Sequence, residues 1–120
     1  MLGLDDREAV LSHPVAGGSW EGFVIENLLS AAPERTSALF YRTAAGAEID
    51  LVLDLPRGRR WAIEIKRGLA PALDRGFHHA RSDLRPERSF VVYSGEERYP
   101  RGDGLEVLGV RELAAMLADA

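Results

Sequence analysis

The segment Trp61-Ala62-Ile63-Glu64-Ile65-Lys66 has the alternating pattern of a β-strand with one apolar face. In an extended chain, residues two positions apart point to the same side, so Glu64 and Lys66 should project together. Lys66 is also the single lysine among 15 Lys and Arg residues. Arg does not replace Lys where a compact ammonium charge is required. The segment therefore predicts a core strand that carries a functional acid–base pair.

The composition is that of one small globular domain. The chain has 120 residues, of which 46% are hydrophobic and 28% charged, enough for a single core. It has no cysteine, which excludes a disulfide framework and thiolate metal sites and suits a reducing compartment. We find no apolar run of membrane-spanning length and no signal-peptide pattern. We therefore expect a cytoplasmic protein with no membrane contact.

The charge is distributed unevenly along the chain. The net charge of −4 is not typical of a nucleic-acid-binding protein. However, residues 57–101 hold 11 basic and 6 acidic residues, whereas residues 1–56 hold 3 basic and 9 acidic ones. A basic middle segment could follow a phosphate backbone, or its arginines could cover solvated loops and helix faces. Charge alone leaves both interpretations open.

Residues 1–18 are predicted to form an N-terminal arm or linker, with a short helix or arm followed by a loop. Residues 19–120 are predicted to form the α/β domain. Ser19 is suited to cap a helix from about Trp20 to Ala32, and Pro33 would end it.

Glu21 is the acid of interest on this helix. At 100° per residue it falls on the same arc as Trp20, Val24 and Leu28, whereas Glu26 falls on the opposite side. A carboxylate on an inward face is costly to bury without a partner, which makes Glu21 a candidate functional acid. The alternative is that Glu21 only complements the positive end of the helix dipole.

The rest of the chain alternates between strand and helix patterns. In order, we predict strands over 38–42, 47–53 and 61–66, a helix over 72–84, strands over 89–94 and 105–110, and a helix over 111–118. The first three strands are joined by short turns and should form an antiparallel meander. The strand over 89–94 should pair parallel to the third strand through the helical crossover. This order predicts an α/β fold with a central mixed sheet flanked by helices.

Asp50 and Glu64 should meet across the second and third strands, because neighbouring strands lie about 4.8 Å apart. Two such carboxylates repel each other unless a positive charge lies between them, and their oxygens suit Mg²⁺ or Mn²⁺. Such an ion activates a bound water and stabilises charge on a phosphoryl oxygen, and Lys66 would assist. The alternative is that these charges form ordinary solvent-facing cross-strand pairs, each contributing less than about 1 kcal/mol.

These residues resemble the PD-(D/E)XK nuclease superfamily, whose restriction-endonuclease-like fold has an αβββαβ core. Glu21 on a leading helix, Asp50 in the second strand and Glu64-Ile65-Lys66 in the third carry this resemblance. The segments 20–24, 41–50 and 62–66 are similar, more narrowly, to the uncharacterised C-terminal domain of prokaryotic AAA-type ATPases. This similarity covers residues 13–110 approximately.

The resemblance implies catalytic roles for Asp50, Glu64 and Lys66, with metal ligation by Asp50, Glu64 and an accessory Glu21. Ile49 stands where the superfamily name has proline. No G-x-x-x-x-G-K-[ST] loop occurs, so this chain cannot bind ATP as those ATPases do. We expect either a fragment of a longer protein or a stand-alone relative.

Five arginines are candidates for contact with a nucleic-acid backbone: Arg42, Arg57, Arg59, Arg60 and Arg67. Three of them are predicted to lie in the turn before the third strand, where solvated hairpin tips are also common.

Three functions stay open at this stage. The first is a Mg²⁺- or Mn²⁺-dependent endonuclease that hydrolyses phosphodiester bonds in DNA and acts as a homodimer when both strands are cut. The second is a non-catalytic docking or regulatory domain that partners an ATPase domain in cis or trans. The third is a small globular domain whose strand charges are only surface pairs.

Overall fold

A seven-stranded mixed sheet with three helices builds the fold, and the computed structural model describes residues 10–12 and 19–120. The helices are α1 (Trp20–Ala31), α2 (Arg75–Leu84) and α3 (Val110–Ala118). The strands are β1 (Val10–Ser12), β2 (Ser37–Arg42), β3 (Glu48–Leu55), β4 (Arg59–Ile65), β5 (Arg88–Tyr93), β6 (Tyr99–Gly102) and β7 (Leu105–Gly109).

The sheet has the strand order β1-β2-β3-β4-β5-β7-β6. Strands β1 to β4 are antiparallel, β4, β5 and β7 are parallel, and β6 returns antiparallel to β7. The run α1-β2-β3-β4-α2-β5 has the predicted αβββαβ order, with β5 parallel to β4 across the helical crossover. The α/β class with a mixed sheet flanked by helices is confirmed.

Hydrophobic side chains pack on both faces of the sheet. Helices α1 and α3 cover one face through residues such as Leu28 and Leu113, which belong to the same buried cluster as Ile63. Helix α2 covers the other face with Phe77 and Ala80. Because both faces are covered, β4 is buried from position 61 to position 65. A charged residue in this part of β4 is therefore removed from water.

Helix α1 has the predicted bounds to within one residue. The Ser19 hydroxyl accepts a hydrogen bond from the Gly22 amide at 3.1 Å, which satisfies one free N–H of the first turn. The helix ends at Ala31, two residues before Pro33.

The segment between β3 and β4 is shorter than predicted. The prediction placed Arg59 and Arg60 in a turn, but they are the first two residues of β4. The Arg60 guanidinium binds the Asp54 carboxylate across the strand pair at 2.5 and 3.0 Å, which extends the ladder toward the hairpin tip. The tip is then reduced to Pro56–Gly58.

Two further boundaries differ from the prediction. Helix α2 begins at Arg75, three residues after the predicted start, because Asp74 caps it by accepting from the Phe77 amide at 3.3 Å. The segment 95–104, between the strands predicted over 89–94 and 105–110, contains the edge strand β6, for which the sequence predicted no strand.

The described part of the N-terminal segment is a strand and not a helix. Val10–Ser12 forms an edge strand paired with β2, where the sequence predicted a short helix or arm. Residues 1–9 and 13–18 lie outside the described residues. Among the helices of residues 19–120, none is both long and apolar enough to cross a bilayer.

Candidate active site

A β-bulge in β3 positions Asp50. Leu39 of β2 lies opposite Val52, whereas Tyr41 lies opposite Ile49, so two residues of β3 oppose one residue of β2. Asp50 is the first of those two residues. Bulges of this kind redirect a side chain and bend the strand, and they occur often beside active sites.

The carboxylates of Asp50 and Glu64 replace backbone pairing at this end of β3 and β4. The regular ladder runs as far as Leu51 opposite Ile63. One position further on, the Asp50 amide donates to Glu64 Oε1 at 3.3 Å, and the Ile65 amide donates to Asp50 Oδ2 at 2.9 Å. Each carboxylate thus accepts from the strand that carries the other. The two acids meet across the strand pair, as the spacing predicted.

Glu64 is a buried carboxyl group, only 6% exposed. Burial is the largest cause that raises its pKa, to about 8, and the nearby Asp50 charge raises it further. Lys66 acts in the opposite direction, with Nζ 3.7 Å from Glu64 Oε2. Glu64 is therefore not a solvent-facing surface residue, although its partner Lys66 is partly exposed.

Lys66 is held by its backbone at the end of β4. Its amide donates to the Val92 carbonyl at 2.8 Å, and its carbonyl accepts from Trp20 Nε1 at 3.0 Å. The side chain is half-buried, with 30% of its surface exposed. The indole of Trp20 thus joins the start of α1 to the residue that carries the ammonium group. Sequence reasoning treated Trp20 only as a core residue and missed this contact.

Glu21 lies beside this pair but not in the core. It is exposed, whereas the helical angle predicted an inward position. Partial burial and the charge of Asp50 raise the pKa of Glu21, and both residues line the same cleft. In residues 19–120, no group of three or more His, Asp or Glu side chains is arranged to hold a metal ion. The structure therefore brings Asp50 and Glu64 together and leaves Glu21 at their edge.

An open cleft of about 430 Å³ surrounds the acids and Lys66. Arg67 lies on its wall, as do Glu48 and Asp74, which the sequence did not single out. Arg42 borders an adjoining cleft. Its Nε lies 3.8 Å from Glu48 Oε2. The cleft thus combines a carboxylate floor with basic residues at its side.

Three of the candidate arginines lie away from this cleft. Arg57, Arg59 and Arg60 cluster at the β3–β4 hairpin, at least three strand positions or about 10 Å beyond the Leu51–Ile63 pair. Arg59 donates to the Pro56 carbonyl at 3.4 Å, and Arg60 is bound to Asp54. The hairpin tip was predicted as one candidate phosphate contact, but it is separate from the acids.

The donor chemistry of the pair fits a hard divalent cation. Asp50 and Glu64 supply carboxylate oxygens, and Mg²⁺ or Mn²⁺ retains waters when bound by one or two carboxylates. The raised pKa of Glu64 shows that the nearby Lys66 ammonium does not offset the cost of burying its charge. A cation between the two carboxylates would offset that cost.

Residues 16–113 match a family described as a domain of unknown function, DUF4143. The chain belongs to the DUF4143 family. It is also 44% identical over 104 residues to an uncharacterized protein of Mycobacterium tuberculosis and, equally, to one of Mycobacterium bovis. These alignments cover 86% of this chain but 23% of each relative, so the chain spans about a quarter of the curated relatives that it matches. No solved structure matches this DUF4143 chain.

Proposed function

We propose that this DUF4143 domain is a metal-dependent, nuclease-like domain that hydrolyses phosphodiester bonds in DNA. The observation that carries the proposal is the crossed pair of Asp50 and Glu64, each bound to the other's strand, with the Lys66 ammonium 3.7 Å from Glu64. The αβββαβ order around this pair supports the resemblance to PD-(D/E)XK nucleases.

Each residue has a separate role in the proposed reaction. Asp50 and Glu64 would hold Mg²⁺ or Mn²⁺, with Glu21 as an accessory acid at the edge. When bound, the ion supplies a more acidic water and stabilises charge on a phosphate oxygen. Lys66 orients the attacking water and offsets the negative charge that develops during attack. Arg67, and Arg42 on the adjoining wall, would contact the backbone on either side.

Cleavage assays with matched variants test this proposal. We expect the wild-type domain to cut plasmid, linear duplex or single-stranded DNA in Mg²⁺ or Mn²⁺. Asp50→Asn, Glu64→Gln and Lys66→Ala should each lower the rate by about 100-fold or more, because each removes a group that acts on the charged transition state. Glu26→Gln, an exposed acid on the same helix as Glu21, is the control and should cut at the wild-type rate.

An inactive wild-type domain on every DNA form would contradict the catalytic proposal. Equal rates for Asp50→Asn and wild type would contradict the assignment of the site. Each chain carries one proposed site, which would cut one strand, so cleavage of both strands calls for two copies of the chain. We therefore expect double-strand cleavage to accompany a homodimer in size-exclusion chromatography.

A second candidate function is a non-catalytic docking or regulatory domain that keeps the same fold and partners an ATPase domain in cis or trans. The observation that favours it is the length of the relatives, of which this domain covers 23%. Thermal melting with Mn²⁺ separates the two candidates. Stabilisation that is lost in Glu64→Gln favours the metal site. No response to metal, together with tight binding of an ATPase domain, favours docking.

A further inference from the structure

The cleft that holds Asp50, Glu64 and Lys66 is called the acidic cleft below. A second cleft, of about 710 Å³, adjoins it. It lies past the ends of the parallel strands β5 and β7, between the first turns of α1 and α3, and we call it the aromatic cleft. Its aromatic residues are Trp20, Phe23 and Tyr93. Ligands of open α/β sheets bind at the carboxyl ends of the parallel strands. The aromatic cleft has that position.

The ring of Phe23 is exposed at this cleft. Phe23 is 50% exposed, and its ring stacks on that of Trp20 with centroids 5.7 Å apart and planes 27° apart. The Trp20 indole is fixed in turn by its hydrogen bond to the Lys66 carbonyl. The two rings therefore form a preoriented aromatic surface with one side open to solvent.

The aromatic cleft is continuous with the candidate active site. Trp20 lines both clefts, and the Ser94 hydroxyl donates to the Arg67 carbonyl at 2.6 Å, which ties their walls together. A strand with one phosphate at Asp50 and Glu64 would place a neighbouring nucleotide against Trp20 and Phe23. The two clefts are neighbours because the indole of Trp20, which lines both, is bonded to the Lys66 carbonyl.

The rim of the aromatic cleft is polar and partly cationic. Arg111 is exposed there, and none of the ion pairs between side chains of residues 19–120 involves its guanidinium. Glu112 is bound to Arg98 at 3.1 Å, so its charge is offset, and Glu96 is the remaining rim acid. Arg111 is therefore free to meet a phosphate group while the rings meet a base.

We propose that the aromatic cleft binds an unpaired base of a nucleic-acid strand whose phosphate lies in the acidic cleft. This inference rests on the proposed function and specifies its substrate class as single-stranded or locally unpaired nucleic acid. Bases inside a duplex are already stacked on each other, so an exposed side-chain ring can stack only on an unpaired base.

Binding of a labelled strand tests this inference. The probe is a fluorescein-labelled single-stranded oligonucleotide of about twelve nucleotides, with Ca²⁺ in place of Mg²⁺, and the readout is fluorescence anisotropy. Phe23→Ala should raise the Kd by about 5- to 100-fold, because a stacking contact with one base is lost. Phe23→Trp should keep the wild-type Kd. Leu29→Ala is the matched control, an exposed apolar residue of the same helix outside the cleft.

Two further probes identify the contact as one with a base. A blunt duplex of the same sequence should bind more weakly than the single strand, and Phe23→Ala should leave its Kd unchanged. An abasic strand of the same length should show no effect of Phe23→Ala.

An unchanged Kd of the single strand in Phe23→Ala, or no binding of that strand at all, would overturn the inference and leave the cleft to a protein partner. Equal losses on the abasic and normal strands would overturn it as well. The outcome is separable from the cleavage assays. Cleavage without an effect of Phe23→Ala contradicts only this inference, and base-dependent binding without cleavage contradicts only the catalytic proposal.

Discussion

At the scale of single residues, Asp50 and Glu64 show how two carboxyl groups can complete the hydrogen bonding at the end of a strand pair. Their carboxylates accept hydrogen bonds from two backbone amides that would otherwise lack partners at the end of the β3–β4 ladder. Buried amides need such partners, so the acids also serve the fold. Neither acid can be removed without leaving an amide unsatisfied, which makes Gln and Asn the informative replacements.

The raised pKa of Glu64 predicts that stability falls as pH rises. The pKa of this carboxyl is about 8 in the folded chain, against an ordinary value of 4.5, so between these values the folded state binds the proton more strongly. The contribution of Glu64 to the free energy of unfolding is then greatest at the acidic end and decreases from about pH 5 to pH 8, by on the order of a few kcal/mol. Urea unfolding at intermediate pH values measures this slope.

Glu64→Gln should largely remove the slope, because the amide does not titrate. Glu26→Gln should keep it, since that side chain is exposed on α1. A slope in Glu64→Gln as steep as that of the wild type would contradict the assignment to Glu64. Mn²⁺ should raise the stability most at high pH, where the site is deprotonated.

At the scale of the elements, the close approach of α2 to the β2–β3 turn is a tight constraint. A Cβ placed on Gly76 would collide with the Gly46 carbonyl oxygen, which belongs to the backbone and cannot swing aside. Asp74, the cap of α2, lies on the wall of the acidic cleft. The packing of α2 thus reaches the edge of the site.

Gly76→Ala should therefore destabilise the domain, by about 1–3 kcal/mol, although alanine is normally the better helix former. The matched control is Gly68→Ala, where the nearest atom to an added Cβ is 4.0 Å away. Thermal melting followed by circular dichroism measures both. Equal melting temperatures for Gly76→Ala and wild type would contradict the packing argument.

The sequence was sufficient to predict most helices and strands, because their apolar residues recur at the spacing typical of each element. The alternation over residues 61–65 placed β4, and the apolar run over 89–94 placed β5. Edge strand β6 was missed because it is short and polar and contains Pro100, as edge strands can. The signal that could have found it is Asp103-Gly104, a pair typical of hairpin turns, with φ values of 54° and 75°.

The site was predictable only in part. Spacing alone brought Asp50 and Glu64 together, because register follows from a short hairpin. Glu21 lies at the edge of the site but is exposed, because the helical angle gives the direction of a side chain and not the depth of the first turn of α1 relative to the sheet. The roles of Trp20 and of the bulge depend on contacts between distant elements, such as the 46-residue separation of Trp20 and Lys66. No local period encodes those contacts.

At the scale of the whole molecule, one sheet separates two hydrophobic cores that are covered by different numbers of helices. Two helices cover one face, whereas α2 alone covers the other through Phe77 and Ala80. Phe77 is fully buried, so it is the main anchor of the second core. The candidate active site lies where the strands end, beside the first turn of α1 and the loop that leads to α2.

Phe77→Ala should destabilise the domain by about 3–5 kcal/mol, since it removes a fully buried ring and leaves a cavity. Phe23→Ala makes the same chemical change at a half-exposed ring and should cost far less. Urea unfolding of both variants at one pH measures the contrast. Similar losses in the two variants would show that Phe23 supports the fold rather than serving as a free surface.

The two tryptophans give the molecule a pair of built-in spectroscopic reporters. The indole N–H of Trp20 donates to the Lys66 carbonyl at the candidate site, and that of Trp61 donates to the Glu87 carboxylate near the opposite end of β4. Each indole proton gives its own resonance in a nitrogen–proton NMR spectrum. Titration with Mn²⁺ should broaden the Trp20 signal first, and a diamagnetic ion or a DNA strand should shift it. The Trp61 signal serves as the internal reference within the same sample.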